Sequence, residues 1–347
     1  MGSATIINGW DIGGVNIKVV RAEWHGNRAR VIKAVSIPFE IWHNPSELAD
    51  QLKIAGQNLT IKKEEPHGVT ITAELSDAFG TKREGIHFIL NALQKAFGYS
   101  PVHIFNLEGG FYNFLEADEK PLMCAATNWL ASARYIANLH SNCILIDVGS
   151  TTTDIIPIKE GKVICHERTD TSRLINSELV YSGVLRTNPN TIVHTVPVRD
   201  KECPVASEYF TIMADVYLIL GDISADTYSC PTPDKRQKTI KDARARLARL
   251  ICADTEMLTT EEIESMAQYL SQKQTEQLSE AILNVLARAA FSSVLPAVVT
   301  GTGAFLAERA ARSIGIQDVL HWESKDDHNC LPAFSVASLL NEHMVKR

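Results

Sequence analysis

Several things are scarce or missing in this 347-residue chain, and each removes a class of protein. No apolar run approaches the roughly 20 residues that a membrane-spanning helix requires. No basic segment followed by an apolar one stands at the N-terminus, so no secretory leader is expected. Met1-Gly2 invites comparison with a myristoylation signal, but Ile6 occupies the position where Ser or Thr is needed. The seven cysteines are odd in number, scattered and without a C-x-x-C pair, which argues against a disulfide framework and a structural zinc site. Cys124 and Cys143 lie in apolar runs and read as core residues, and Cys203, Cys230 and Cys252 are too far apart in sequence for a usual thiolate zinc site. Positive charge is also short: the net charge is −7 and no basic face or helix-turn-helix is visible, which excludes a general nucleic-acid binder. The expectation is a cytoplasmic protein with no membrane and no nucleic-acid partner. Its composition, 45% hydrophobic and 22% charged, is that of an ordinary globular chain long enough for two domains.

What is present begins with Leu145–Pro157. The buried-type strand Cys143–Val148 stops at Asp147, turns through Gly149 and four hydroxyl residues, Ser150, Thr151, Thr152 and Thr153, and resumes after Asp154. Such a tip offers backbone N–H groups and hydroxyls to phosphate oxygens, with carboxylates beside them for a metal ion. Asp11-Ile12-Gly13-Gly14-Val15-Asn16-Ile17-Lys18 aligns on Asp147–Asp154 without a gap. Two strand–turn–strand copies of one Asp–aliphatic–Gly pattern indicate an internal duplication.

The chain in order supports this. Strands are expected at Thr5–Asp11, Val15–Glu23 and Arg30–Ile37, with Gly26-Asn27 as a hairpin turn. A helix over Pro45–Ala55, a strand at Val69–Thr72, a helix over Lys82–Phe97 closed by Gly98, a strand at Val102–Phe105 and an Ala-rich helix over Pro121–Leu139 follow. The second half restarts with Cys143–Val148, Thr153–Ile158 and Lys162–Arg168. An irregular stretch, Thr169–Pro204, contains a strand at Thr191–Val196. Helices are then expected at Ser207–Leu220, Thr239–Cys252 and Thr260–Ala290, a strand at Val294–Thr300 running into Gly301-Thr302-Gly303, a helix to Arg312, a strand at Asp318–His321 and a helix from Ala333 to His343. Strand–helix alternation of this kind predicts an α/β fold.

Two Asp–Gly loops opening twin meanders, with a late strand–Gly-Thr-Gly–helix, resemble the actin-like ATPase superfamily. The resemblance implies a duplicated, ribonuclease H-like α/β fold in two domains around a central cleft. The domains would be 1–140 and 141–347, the second with a helical insertion at about 205–290 and a C-terminal helix that can pack back on the first. Within that superfamily Asp147–Asp154 looks like the hydantoinase/oxoprolinase branch, whose loop reads D-x-G-[GS]-T-[ST]-T-D. Glu178–Thr187, Ala214–Gly221 and Arg246–Arg249 are similar to a group linked to tetrahydromethanopterin-dependent C1 transfer. Archaeal members of that group make a methanofuran precursor.

The resemblance implies a transferase that joins an aminomethylfuran-methyl diphosphate to a phenolic oxygen and releases diphosphate. Its ligands would be a small diphosphate substrate and Mg²⁺. An ATP-dependent kinase or amide hydrolase, and a non-catalytic phosphate-ligand sensor, are the alternatives, so ATP stays open as a ligand. A homodimer is compatible with the sequence, which does not fix the oligomeric state. Asp11 and Asp147 would hold the metal. Gly13, Gly14, Asn16, Gly149, Ser150, Thr151, Thr152, Thr153, Arg186, Gly301, Thr302 and Gly303 would surround phosphate or nucleoside, the glycines by close approach or positive φ. Asp154 would act as general base and Lys18 as a point charge near the leaving group.

Each residue also has a plainer role. Asp11 and Asp147 could be turn caps, Lys18 an outward-facing strand residue and Asp154 a partner of the Thr151–Thr153 turn. Arg173, Arg186 and the run Lys235–Lys238 are candidate anion clamps, though such a run is often just a solvated helix start. Asp215 and Asp222 are weighed as a second metal pair against capping roles. Arg244, Arg246 and Arg249 lie on a helix with no acidic partner pattern and read as structural or solvent-facing. His67, His87 and His194 read as isolated polar residues, and Tyr181 and Tyr217 as core residues with a possible stacking role.

Overall fold

The computed structural model describes residues 4–26, 28–98, 100–165, 167–291, 295–322 and 330–346. Asn27 of the expected first hairpin turn, His166 and Val294 of expected strands, and Met1-Gly2 lie outside the described residues.

The chain divides into two compact units. In the first, β1 (Thr5–Gly13), β2 (Asn16–His25) and β3 (Arg28–Pro38) form an antiparallel meander. It is followed by α1 (Leu48–Asn58), β4 (His67–Thr72), α2 (Lys82–Phe97), β5 (Val102–Phe105), β6 (Phe111–Tyr112), α3 (Phe114–Glu119) and α4 (Asn128–Leu139). The strand order is β3-β2-β1-β4-β5-β6, with β1, β4 and β5 parallel. The parallel strands are mostly buried, polar Asn8, Asp11, His67 and Thr70 included, because both faces are covered. Trp10, Ile12, Val69 and Ile71 point into a core with α1 and α2 residues such as Leu52, Ile86 and Leu93.

The second unit begins with β7 (Cys143–Val148) and β8 (Thr153–Lys159), followed by β9 (Lys162–Val163), α5 (Asp170–Ile175), β10 (Leu179–Val180) and the hairpin β11 (Thr195–Val198)–β12 (Lys201–Pro204). Then come α6 (Met213–Leu220), α7 (Ile240–Arg249), α8 (Thr260–Arg288), β13 (Ala297–Thr300), α9 (Ala304–Ser313) and β14 (Val319–His321). Its sheet runs β10-β8-β7-β13-β14, with β7, β13 and β14 parallel. Ile144, Ile146, Val148, Ile155, Ala297 and Val299 pack on one face against residues of α6 to α9. The tip Ile158–Val163 groups with the first unit.

Each sheet is therefore a meander whose first strand continues into two parallel neighbours, the duplicated actin-like, ribonuclease H-like α/β fold. The last helix, α10 (Leu331–Val345), belongs to the first unit. Its Ala333, Ala337 and Leu340 pack on Ile7, Val20, Ala22 and Trp24. Gly9 permits this: a Cβ there would lie 1.8 Å from the Ala333 carbonyl oxygen.

Several expected elements are corrected. Pro121–Leu139 is not one helix: Pro121–Cys124 forms a 3₁₀ turn, Ala126 takes φ 48°, and α4 starts at Asn128. The strand expected over Lys162–Arg168 stops at Val163. Thr191 lies in a 3₁₀ turn, and the strand begins at Thr195. α6 begins at Met213 rather than Ser207, where the Asp215 carboxylate accepts from the Ile212 N–H at 3.3 Å.

Candidate functional site

The first loop joins β1 to β2. Asp11 and Lys18 are direct cross-strand partners, so the aligned positions of the motif face one another. Asp11 is 5% exposed, and Thr70 Oγ1 on the neighbouring parallel strand lies 3.2 Å from its Oδ1. Both charged residues are felt by the buried Cys330 thiol at the head of α10. Burial pushes that thiol up to about 11, with Lys18 opposing and Asp11 adding to the shift. Lys18 and Asp11 thus lie within electrostatic reach of one thiol. Gly13 closes the turn, since a Cβ there would stand 3.0 Å from the Asn16 carbonyl oxygen, whereas a Cβ on Gly14 would meet nothing within 4 Å. Neither glycine has positive φ.

The second loop is held far more tightly. The Gly149 N–H donates to the Thr152 carbonyl at 2.8 Å, closing a hairpin with Ser150 and Thr151 at its tip. Continued along the strands, that register sets Asp147 opposite Asp154, as Asp11 is opposite Lys18. Residues 182–186 form a strap over the tip. The Val184 N–H donates to Gly149 O (3.0 Å), Leu185 and Arg186 N–H donate to Ser150 O (3.1 and 2.9 Å), and Thr153 Oγ1 donates to Ser182 O (2.6 Å). Gly183 is pressed so close that a Cβ would lie 2.5 Å from the Thr151 nitrogen. Beneath the strap, Gln274 of α8, fully buried, donates to Ser182 Oγ and Gly183 O and accepts from the Tyr217 hydroxyl at 2.6 Å.

The third element abuts the second loop directly. Thr300 pairs with Asp147 across β13 and β7, and Gly303 N–H donates to Val148 O at 2.8 Å. Gly301 has φ 93°, and a Cβ there would lie 2.2 Å from Val148 O and 2.4 Å from Asp147 Oδ1. It is the one glycine among the five predicted that needs the left-handed region. Gly303 is needed for space instead, against the Val148 side chain. Thr302 lies in the turn between these two glycines, before α9.

Asp154 is not a partner of the Thr151–Thr153 turn. Its Oδ1 accepts from Arg173 at 2.6 Å, and Arg173 is 1% exposed and also donates to Glu178 O. Burial pushes the Asp154 carboxyl above its usual range, the Arg173 charge pulling it partly back. Arg173 is therefore committed to that carboxylate. The Arg186 charge acts on Tyr209 and, with that of Lys238, on the buried Cys230, so both cations lie within electrostatic reach of that thiol.

Other candidates resolve differently. Asp215 is buried and bound by Arg246 and the Tyr228 hydroxyl, while Asp222 is held by both Arg309 terminal nitrogens. They form no second metal pair. Arg246 is fully buried with Asp215 and Asp234 as partners, and Arg244 and Arg249 pair with Glu264 and Asp234, a structural role whose acidic partners lie outside the helix's own spacing. Lys235–Lys238 is a loop ahead of α7 rather than a helix start. His67 accepts from Trp10 Nε1, and His87 pairs with Asp118. Tyr217 is core, but Tyr181 is 67% exposed and is not. Among the described residues no three His, Cys, Asp or Glu side chains form a metal-binding group. A protein-only metal cage is thus not built here. A single carboxylate at each strand end still suits Mg²⁺, which completes its shell with phosphate oxygens and water.

Over 342 residues the chain is 36% identical to (4-{4-[2-(gamma-L-glutamylamino)ethyl]phenoxymethyl}furan-2-yl)methanamine synthase of Methanocaldococcus jannaschii, covering 98% of this chain and 99% of that one. The protein of the same name from Methanococcus vannielii is 32% identical over 213 residues, 60% of this chain and 94% of its own. The nucleotide-free structure of acetone carboxylase, titled as ATP-dependent, matches the fold with a TM-score of 0.55 at 10% identity, over 96% of this chain and 70% of that one. The hydantoinase/oxoprolinase family model matches residues 65–343. The chain belongs to the hydantoinase/oxoprolinase family.

Proposed function

We propose that this protein is a synthase of methanofuran-type cofactor assembly that forms an aryl ether between a furan-methylamine and a phenol. The observation that carries the reading is the end-to-end 36% identity to the named archaeal synthase. The two Asp–Gly hairpins suit the diphosphate ester of the furan as the second substrate. In that reaction the phenolic oxygen attacks the furan-bound methylene. The carbon–oxygen bond to diphosphate breaks, its electron pair leaving with diphosphate, and the phenolic proton passes to a base.

Asp11 and Asp147 would each offer Mg²⁺ a carboxylate at the end of its own loop, and the ion would neutralise charge on the leaving group. The N–H groups and hydroxyls of Ser150–Thr152, with Gly149 at the turn, orient the diphosphate, while the Thr153 hydroxyl, donating to Ser182 O, fastens the strap. Asp154, with a carboxyl raised by burial and one oxygen held by Arg173, is the base assigned to the phenolic proton. Lys18 faces Asp11 and stabilises the departing charge from the first loop. Arg186 and Lys238 suit the carboxylate of a γ-glutamyl acceptor.

The test is incubation of the protein with aminomethylfuran-methyl diphosphate and γ-glutamyltyramine, or its tyrosine analogue, with Mg²⁺. Ether and diphosphate should form in equal amounts; absence of ether with either acceptor overturns the reading. A second reading, an ATP-dependent phosphotransferase or hydrolase, draws support from the strand–Gly301-Thr302-Gly303–α9 turn. Titration with ATP in a calorimeter separates the two, since the synthase reading needs no heat of ATP binding.

A further inference from the structure

The duplication extends beyond the two hairpins to a residue beside each. On the first sheet Asp11 has Thr70 as its neighbour across β1 and β4; on the second Asp147 has Thr300 across β7 and β13. Both strand pairs are parallel, and both threonines are essentially buried, at 0% and 2% exposure. Neither belongs to the Asp–Gly motif, and folding alone brings each to its aspartate.

The two pairs differ in one respect. Thr70 Oγ1 lies 3.2 Å from Asp11 Oδ1 and 3.2 Å from the Trp10 carbonyl, so its proton is used. Thr300 Oγ1 has no hydrogen-bond partner among the described residues. A buried hydroxyl left in this way opposes folding.

We infer that Thr300 is a ligand-binding residue of the second loop, its hydroxyl donating to a phosphoryl oxygen of a diphosphate seated beside Asp147. This rests on the synthase reading for the ligand's class, but not on the reaction itself. Thr70 is its structural counterpart, already satisfied by Asp11.

The test compares wild type with Thr300→Val, Thr300→Ser and Thr70→Val by calorimetric titration of inorganic diphosphate with Mg²⁺, alongside thermal unfolding. Thr300→Val should bind diphosphate about three- to ten-fold more weakly, the worth of one hydrogen bond. Its Tm should hold or rise by about one or two degrees, since valine replaces an unpartnered hydroxyl with a shape that fits a strand. Thr300→Ser should restore binding. Thr70→Val, which breaks a bond already made, should lower Tm. Unchanged affinity in Thr300→Val, or affinity and Tm falling together, overturns the inference. Wild type that takes up no diphosphate overturns both this and the proposed function. Wild type that binds diphosphate but makes no ether, with Thr300→Val impaired, overturns the proposed reaction and leaves this inference standing.

Discussion

Between Trp10 and Phe97 the His67 ring accepts the indole proton at Nδ1 and stacks on the phenyl ring at 4.4 Å. Burial lowers its pKa from 6.5 to about 4, the charge of Glu65 opposing and that of His103 adding. The unfolded chain therefore binds the His67 proton between those values while the folded chain does not. Stability is full above about pH 6.5 and falls as pH drops toward 4, by about 3 kcal/mol from this residue. Denaturant titrations at pH 7 and pH 4.5 should show the loss, and His67→Gln, which keeps an acceptor for Trp10, should remove most of it. An equal loss in the variant would assign the slope elsewhere. The glycines divide as sharply. Gly301→Ala meets Val148 O and Asp147 Oδ1 at positive φ and should destabilise by about 3 kcal/mol or more, whereas Gly14→Ala, in open space, should stay within about 1 kcal/mol of wild type by chemical denaturation. Sequence alone treated these two alike because a glycine's letter carries neither its φ nor its neighbours. For the same reason the pairing of Thr70 with Asp11 and of Thr300 with Asp147 was not legible: it is a register between strands distant in the chain.

At the level of elements, both meanders and most of the helices are legible, since hairpin spacing and apolar periodicity are local. The failures occur where the signal is non-local or the turn chemistry unusual. The β11–β12 hairpin turns through Arg199 and Asp200, both at positive φ, with no Asn-Gly or Asp-Gly to announce it. Ala126 at φ 48° ends what reads as one Ala-rich helix. Within α8, Gln274 looks like any polar residue of a long amphipathic helix, yet it is fully buried and ties Tyr217 to the strap over the second loop. Gln274→Leu should strand the Tyr217 hydroxyl and the Gly183 carbonyl and cost about 2–4 kcal/mol. Diphosphate binding should weaken with it. Tyr217→Phe, which loses only the outer link, should cost about 1–2 kcal/mol and leave diphosphate affinity near wild type. Equal losses of affinity in the two variants would show that the strap does not act through Gln274.

Across the whole molecule, the first unit is assembled from both ends of the sequence given. Strands β1 and β2 bury Ile7, Val20, Ala22 and Trp24 largely against Ala333, Ala337 and Leu340 of α10, with Ala34 of β3 and Cys330 at the margin. A chain ending at Trp322 should expose this apolar face, bind a hydrophobic dye and lose cooperative unfolding of the first unit. The second unit should keep its own transition, because its core draws on residues 142–322. Full loss of both transitions would mean that the two units fold as one. Arg246, whose guanidinium is buried against Asp215, tests the same independence from the other side. Arg246→Met should lower only the second transition in calorimetry, by about 3–5 kcal/mol, because it leaves a buried carboxylate unpaired.

The position of α10 in the sequence also sets a timetable. When a ribosome has made residues 1–141, β1 and β2 exist but their cover does not, and more than half of the chain must be translated before it does. At roughly 5–20 residues per second that interval lasts on the order of 10–40 s. For that time a nascent sheet with an apolar flank is open to chaperones and to other unfinished chains. The second unit has no such wait once Trp322 has emerged. Its completion precedes that of the first, so the order in which the two Asp–Gly loops mature is the reverse of the order in which they are encoded.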